Sequence, residues 1–247
     1  MTMPVAKYIP QEAYGSIPHL PGSRRGPGDR GLQPNQCLLI TGGKKDRRYT
    51  VRVTEKLDGS SVCVYNDGGS LVPLTRAGYR AEDSFYPQHH LFAQWVRANA
   101  DRFSALESGE RLCGEWLAQA HGTRHQLGER TPFAPFDIMR LPHQRAPYEE
   151  MWQRFGGAFD LPVVLFNGDR CSIELAMERL GVYGHHGALD PAEGAVWRVE
   201  CGGEFRMIAK YVRPGKVDGK YFPTIDEVTG ETIGEDVWNW RPEGEDR

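Results

Sequence analysis

The sequence predicts an α+β domain with largely antiparallel sheets and helices packed outside them. Two observations carry this. Strand-like runs outnumber helical ones, and successive runs are joined by tight glycine turns, at Asp58-Gly59, at "NDGG" (66–69) and at "CGGE" (201–204).

Along the chain, residues 10–35 are rich in Pro, Gly and Arg, a composition that supports neither a long helix nor a central strand. In "RRYTVRVTEKL", Tyr49, Val51 and Val53 alternate with Arg52 and Thr54, the period of a half-buried strand, and Lys56 falls on the polar face. "SSVCVY" and "SLVPLTR" form the next two strands. Gln88–Leu106 reads as an amphipathic helix through Leu91, Phe92, Trp95, Val96 and Phe103. "RLCGEWLA" and "FAPFDIMR" are short strands, and "YEEMWQRFGGAF" and "SIELAMERLG" are helices, the second with Ser172 as N-cap and Gly181 as stop. "LPVVLF" between them reads as a buried strand, and "GAVWRVE-CGGE-FRMIAKYV" as a hairpin. Trp95 and Trp152 read as core residues, and His89-His90 and His185-His186 as surface or helix-end residues. These elements divide the chain into a loop-rich segment packed on the main domain (1–48), the domain itself (49–222) and an acidic tail (223–247) anchored by Trp238 and Trp240.

The 247 residues are 39% hydrophobic with a net charge of −3, so a polyanionic partner needs a local basic patch. Arg24, Arg25, Arg30, Lys44, Lys45, Arg47 and Arg48 are the densest such stretch, able to hold a phosphate backbone or simply be solvated; Arg213 and Lys216 are further candidates. The five cysteines are scattered without a C-x-x-C pair, which points to reduced thiols. The N-terminus lacks a signal pattern and no apolar run is long enough to span a membrane, so the expectation is a cytoplasmic protein.

Several residues stand out chemically. Lys56 precedes an Asp-Gly turn. Arg76 ends a hairpin strand, Glu115 lies inside an apolar strand where a carboxylate needs a partner or a cation, and Asp137 follows Phe133 and Phe136. Glu193 precedes a glycine and a strand, and Lys210 lies on the returning strand. Singly these are weak signals. In this order, over about residues 49–220, they resemble the covalent nucleotidyltransferase superfamily of ATP-dependent RNA and DNA ligases and mRNA capping enzymes, most closely the RNA ligase branch.

That resemblance implies an adenylation domain of the ATP-dependent ligase type. Lys56, in E-K-L-D-G, takes the place of the nucleophile that accepts AMP. Arg76 and Lys210 take the places of the catalytic cations, and Glu115 belongs to the nucleotide site. Phe136 is the ring that stacks on adenine, and Glu115 and Glu193 hold Mg2+ or Mn2+. Glu55 either reads the adenine edge or ribose or is a strand-end carboxylate paired with an arginine. The implied substrates are ATP and RNA ends, nicked duplex included, with a protein partner able to supply further grip. The chemistry fits these residue types: a lysine must be neutral to attack phosphorus, which costs about 4 kcal/mol near neutral pH from its ordinary pKa of ~10.4, and nearby positive charge offsets that cost.

Two departures are visible. The last motif is usually K-x-K but here reads Ile208-Ala209-Lys210, so Arg206, Arg213 and Lys216 are the candidates for the second charge. Only 37 residues follow Lys210, so no OB-fold domain is expected after it. The alternatives are a minimal ATP-dependent DNA ligase and a nucleic-acid-binding relative with impaired catalysis.

Overall fold

The computed structural model describes residues 6–42, 48–140, 143–225, 231–242 and 244. In chain order these form helix α1 (Pro34–Thr41), strands β1 (Tyr49–Lys56), β2 (Ser60–Asp67) and β3 (Ser70–Thr75), helix α2 (Pro87–Ala98), strands β4 (Glu110–Trp116), β5 (Phe133–Arg140) and β6 (Gln144–Arg145), helix α3 (Tyr148–Phe155), strand β7 (Val164–Gly168), helix α4 (Ile173–Leu180), the hairpin β8 (Gly194–Cys201) and β9 (Glu204–Val212), and two short strands, β10 (Thr224–Ile225) and β11 (Thr232–Ile233). All pairings between these strands are antiparallel, as the turn-rich sequence predicts.

The chain forms two compact units. The first comprises the chain up to Ser16, Ser60–Trp116 and Phe133–Leu161; the second comprises Ile17–Gly59, Leu117–Pro132 and the chain from Pro162. The loop-rich N-terminal segment therefore contributes to both.

The first unit is built on a sheet of order β3-β2-β4-β5-β6. The β2–β3 turn is closed by Gly68 and Gly69, both at positive φ, with the Asn66 side chain accepting from the Gly69 N–H at 2.7 Å. An aromatic core covers one face: Trp116 and Phe133 from the sheet, Phe92 and Trp95 from α2, and Phe103, Phe155 and Phe159. The single helix predicted over 88–106 ends at Ala98 and resumes as a tighter turn, Ala100–Phe103, because the Asn99 side chain caps the Trp95 carbonyl at 2.9 Å. Trp152 does not join the core. Tyr148, Met151 and Phe155 fill the inward stripe of the short helix α3, which leaves Trp152 54% exposed.

The second unit is built on a sheet of order β7-β1-β8-β9. Val51, Val53, Ala195, Trp197, Val199 and Ala209 form a buried core with Leu165, α4 and α1. Helix α1 lies in a stretch where the sequence predicts loops. Pro34 opens it, the Gln36 side chain accepts from the Gln33 N–H at 3.2 Å, and Cys37 and Ile40 face the core. Helix α4 has the predicted ends: Ser172 Oγ accepts from the Leu175 N–H at 3.1 Å, and Gly181 leaves the helix at φ +65°. Strand β7 starts later than "LPVVLF" suggests and is an edge strand, so Val163 and Val164 are exposed rather than buried. His186 is buried where the sequence places it at the surface, while His185 is exposed. Among the described residues, no helix is long and apolar enough to cross a membrane.

Candidate active site

The alternation of β1 decides what Lys56 can do. Val51, Val53 and Glu55 are buried on one face, whereas Arg52, Thr54 and Lys56 lie half-exposed on the other. Cross-strand pairing puts Lys56 opposite Gly194, Thr54 opposite Val196 and Arg52 opposite Arg198; Val196 in turn pairs with Lys210 and Arg198 with Ile208. Partners across a ladder share a face, so Lys56, Arg198 and Lys210 stand on one side of this sheet. Ile208, at the position of the missing lysine, lies directly across from Arg198, which is buried and bonded to Glu200 at 2.7 Å.

Gly194 lets β8 and β9 close up beside Lys56, and the residue before it is Glu193. Lys56 Nζ donates to Glu193 Oε2 at 2.7 Å and to the Leu57 carbonyl at 3.3 Å. Burial pushes the Glu193 carboxyl above its ordinary value, more than the Lys56 ammonium pulls it down. The carboxylate oxygens of Glu193 are the hard donors that a divalent cation prefers.

A second pair stands beside the first. Asp58 Oδ2 accepts from the Gly122 N–H at 2.8 Å and from Lys216 Nζ, and Lys216 also donates to Thr123 Oγ1 at 3.0 Å. Burial raises the Asp58 carboxyl, but the charge and hydrogen bond of Lys216 outweigh it, and the net shift is downward. Lys216 is buried in this pairing and is not an exposed phosphate contact. Of the three residues that could replace the missing lysine, it brings its side-chain charge to the Lys56 cluster, whereas Arg213 reaches it only through its backbone N–H, which donates to the Glu193 carbonyl at 2.9 Å. Arg206 is exposed and pairs with Glu204 at 2.9 Å, and Arg213 donates to the Gly181 carbonyl. The pairing of Asp58 with Lys216 is not legible in the sequence, which reads Asp58-Gly59 only as a tight turn; in the structure this stretch joins no hairpin, because β1 and β2 belong to different sheets.

The lowered Asp58 value has a consequence for stability. Its contribution is fully present above the unfolded carboxylate pKa of ~3.9 and is lost as pH falls through the lower folded value. Asp58→Asn is therefore expected to destabilise the chain at neutral pH and to narrow its gap to the wild type as pH falls below the ordinary carboxylate range. Urea unfolding at several pH values checks this; a gap independent of pH would refute it.

Lys210 carries its backbone between β8 and an extra edge segment. Its N–H donates to the Pro18 carbonyl at 2.9 Å, and its carbonyl accepts from the Leu20 N–H at 2.8 Å. Its charge acts on the His19–Asp29 pair, whose His19 Nε2 and Asp29 Oδ2 are 3.1 Å apart. Glu55 lies on the core side of β1, 2% exposed, and accepts from the His185 N–H at 2.9 Å. Gly184 is required there, since a Cβ would come within 2.0 Å of Glu55 Oε1. The carboxylate is thus fastened to a backbone loop, not to the side chain of an arginine.

The first unit holds the remaining predicted residues. Arg76 follows β3 and donates to the Tyr14 carbonyl at 3.3 Å and to Ser16 Oγ at 2.7 Å. Glu115 is half-buried on β4 between Ser61 and Ala134. Phe136 is the extra residue of a β-bulge: Cys113 pairs with Asp137 and Gly114 with Pro135. Its half-buried ring meets the Tyr14 ring edge-on, with centroids 5.0 Å apart. Asp137 is structural, accepting from Tyr14 Oη at 2.7 Å and Arg145 Nε at 3.1 Å. Tyr14 and Ser16, which brace Phe136 and Arg76, sit in a segment whose composition carries no signal of that role. Among the basic N-terminal residues, Arg24 pairs with Asp218, Arg25 and Arg30 are at the surface, and Lys44, Lys45 and Arg47 lie outside the described residues.

The family model for RNA ligase matches residues 49–212, from the first residue of β1 to the last of β9. The chain belongs to the RNA ligase family. Solved structures similar to it include an archaeal ATP-dependent RNA ligase (18% identity, 73% of this chain and 45% of that chain, TM-score 0.48). Two variants of the Naegleria gruberi RNA ligase are also similar: one with ATP and Mn (15% identity, 71% and 56% covered, TM-score 0.49) and one with AMP and Mn (17% identity, 71% and 56% covered, TM-score 0.48). The chain spans about half the length of these RNA ligases. No curated protein matches it. For this RNA ligase family member, the matched span contains the Lys56, Glu193 and Lys210 positions and also Arg76, Glu115 and Phe136.

Proposed function

We propose that the chain is an ATP-dependent RNA ligase that joins 5′-phosphate and 3′-hydroxyl ends through a lysyl-AMP intermediate on Lys56. The observation that carries this reading is the contact between Lys56 Nζ and Glu193 Oε2 at the end of β1, within the span that matches the RNA ligase family.

In the first step the neutral Lys56 amine attacks the α-phosphorus of ATP. A P–N bond forms, the P–O bond to pyrophosphate breaks, and the amine loses its proton. Lys210 and Lys216 add positive charge on the same unit, which disfavours the ammonium form of Lys56 and favours charge building up on the phosphoryl oxygens. Glu193 fits a divalent cation, and the resemblance assigns Glu115 to the same task; when bound, Mg2+ or Mn2+ neutralises phosphate charge. Arg76 and Phe136 are the proposed nucleotide contacts, the ring stacking on adenine. In the second step an oxygen of an RNA 5′-phosphate attacks the same phosphorus, the P–N bond breaks, and Lys56 takes back a proton. In the third, a 3′-hydroxyl oxygen attacks the 5′-phosphorus, its proton is lost and AMP leaves. The free thiols, four of them buried, support a reducing, cytoplasmic setting.

The test is incubation with α-labelled ATP and Mg2+ or Mn2+, followed by denaturing electrophoresis. The expected result is a covalent label that is acid-labile, as a phosphoramidate is, and absent from Glu193→Ala. No label with either metal would overturn the proposal. It would favour the impaired nucleic-acid-binding relative that Ile208, in place of a lysine, suggests. Sealing of nicked RNA, DNA and hybrid duplexes then separates an RNA ligase from a minimal DNA ligase.

A further inference from the structure

Within the second unit, the chain after β9 folds back over the loop that holds Asp58. The Tyr221 N–H donates to the His121 carbonyl at 2.9 Å. Gly122 is wedged so tightly that a Cβ would lie 2.1 Å from the Val217 carbonyl oxygen and 2.3 Å from Lys216 Nζ. His121 lies within reach of the charges of Asp58, Lys216 and Lys56. Its ring meets that of Phe222 edge-on, with centroids 4.6 Å apart, and Phe222 is 38% exposed. Beside them the Arg124 guanidinium lies 5.4 Å from the centre of the Tyr221 ring, with its side chain at the surface, while Lys220 Nζ is paired with Asp190 Oδ1 at 2.7 Å, and Asp190 also accepts from Tyr221 Oη at 2.8 Å and the Arg124 N–H at 2.9 Å.

An exposed ring resting on an imidazole, with a cation on a neighbouring ring, is the surface that holds single-stranded nucleic acid: bases stack on the rings and phosphates meet the cation. The pair connects to the nucleophile through a short chain of neighbours, from Phe222 to His121, Gly122 and Asp58.

We propose that Phe222 and His121 are the stacking platform for the terminal base of the RNA strand that carries the 5′-phosphate, and that the Arg124 guanidinium binds its backbone. This deepens the ligase reading and rests on it for the identity of the strand, but its test needs no ATP, so the two can fail separately.

The experiment is a fluorescence-anisotropy titration of a 5′-phosphorylated single-stranded RNA oligonucleotide with the full chain, at several salt concentrations. Phe222→Ala is expected to weaken binding about tenfold, the worth of one base–aromatic stack, and Phe222→Trp to restore it. Arg124→Ala should make the salt dependence shallower, by about 0.7 in the log–log slope for the phosphate that is no longer neutralised. Equal binding by the wild type and Phe222→Ala, or equal weakening by Phe222→Ala and Phe222→Trp, would overturn the proposal. Covalent labelling by ATP, measured separately, reports on the ligase reading alone.

Discussion

Lys56→Ala protein, incubated with α-labelled ATP and a divalent metal, is expected to carry no covalent label while remaining folded. The chemical argument is direct, since removing Nζ removes the atom proposed to bond to phosphorus. The structural argument predicts survival of the fold. Lys56 is the last residue of β1, on the polar face, and its side chain is 20% exposed. Its loss strands Glu193, and stranding a buried charge would ordinarily cost about 3–5 kcal/mol. Burial has already raised the Glu193 carboxyl, however, so it can take up a proton and shed part of that cost. Lys56→Arg is the informative companion: it keeps the charge beside Glu193 and should keep stability near that of the wild type, yet a guanidinium is not a nucleophile here and should also give no label. Persistence of full label in Lys56→Ala would move the nucleophile elsewhere, with Lys216 the first position to test.

Gly194→Ala is expected to be as damaging to activity, and damaging to the fold as well. A Cβ at this position would lie 1.9 Å from the Tyr211 carbonyl oxygen and 2.9 Å from its carbon. These are main-chain atoms of the paired strand and cannot rotate away, so β8 and β9 must separate. Overpacking of this kind costs typically about 1–3 kcal/mol, and a chain of this size loses roughly 2–4 °C in Tm per kcal/mol. Because Gly194 is the ladder partner of Lys56 and follows Glu193, the displacement reaches the nucleophile directly. Thermal unfolding together with the labelling assay checks both parts. A variant with wild-type Tm and wild-type labelling would show that the two strands tolerate the methyl group, and would refute the prediction.

How much of this is legible in the sequence depends on whether the signal is local. The parity of "YTVRVTEK" puts Lys56 on the polar face, as observed, because alternation is a property of the strand itself. Ser172 and Gly181 end α4 as predicted, since both act within one helical turn. Trp152 departs from the prediction because three other α3 residues compete for the same inward stripe, and a short helix has room for one. Val163 and Val164 depart from it because a strand's place at the sheet edge is set by its partners and not by its own apolar run. The helix α1 is hidden by the glycines and prolines around it.

By itself, the sequence determined the antiparallel α+β class, the hairpins at 66–69 and 201–204 and the order of the motifs, since turn chemistry, side-chain period and residue type are written within a few positions of one another. Only the tertiary structure decided which charges meet. It set Glu193 against Lys56, buried Lys216 on Asp58, fastened Glu55 to a backbone loop and placed Phe136 in a bulge braced by Tyr14. These pairings join residues up to 158 positions apart. Their energy comes from burial and strand register, neither of which exists until the chain has closed on itself.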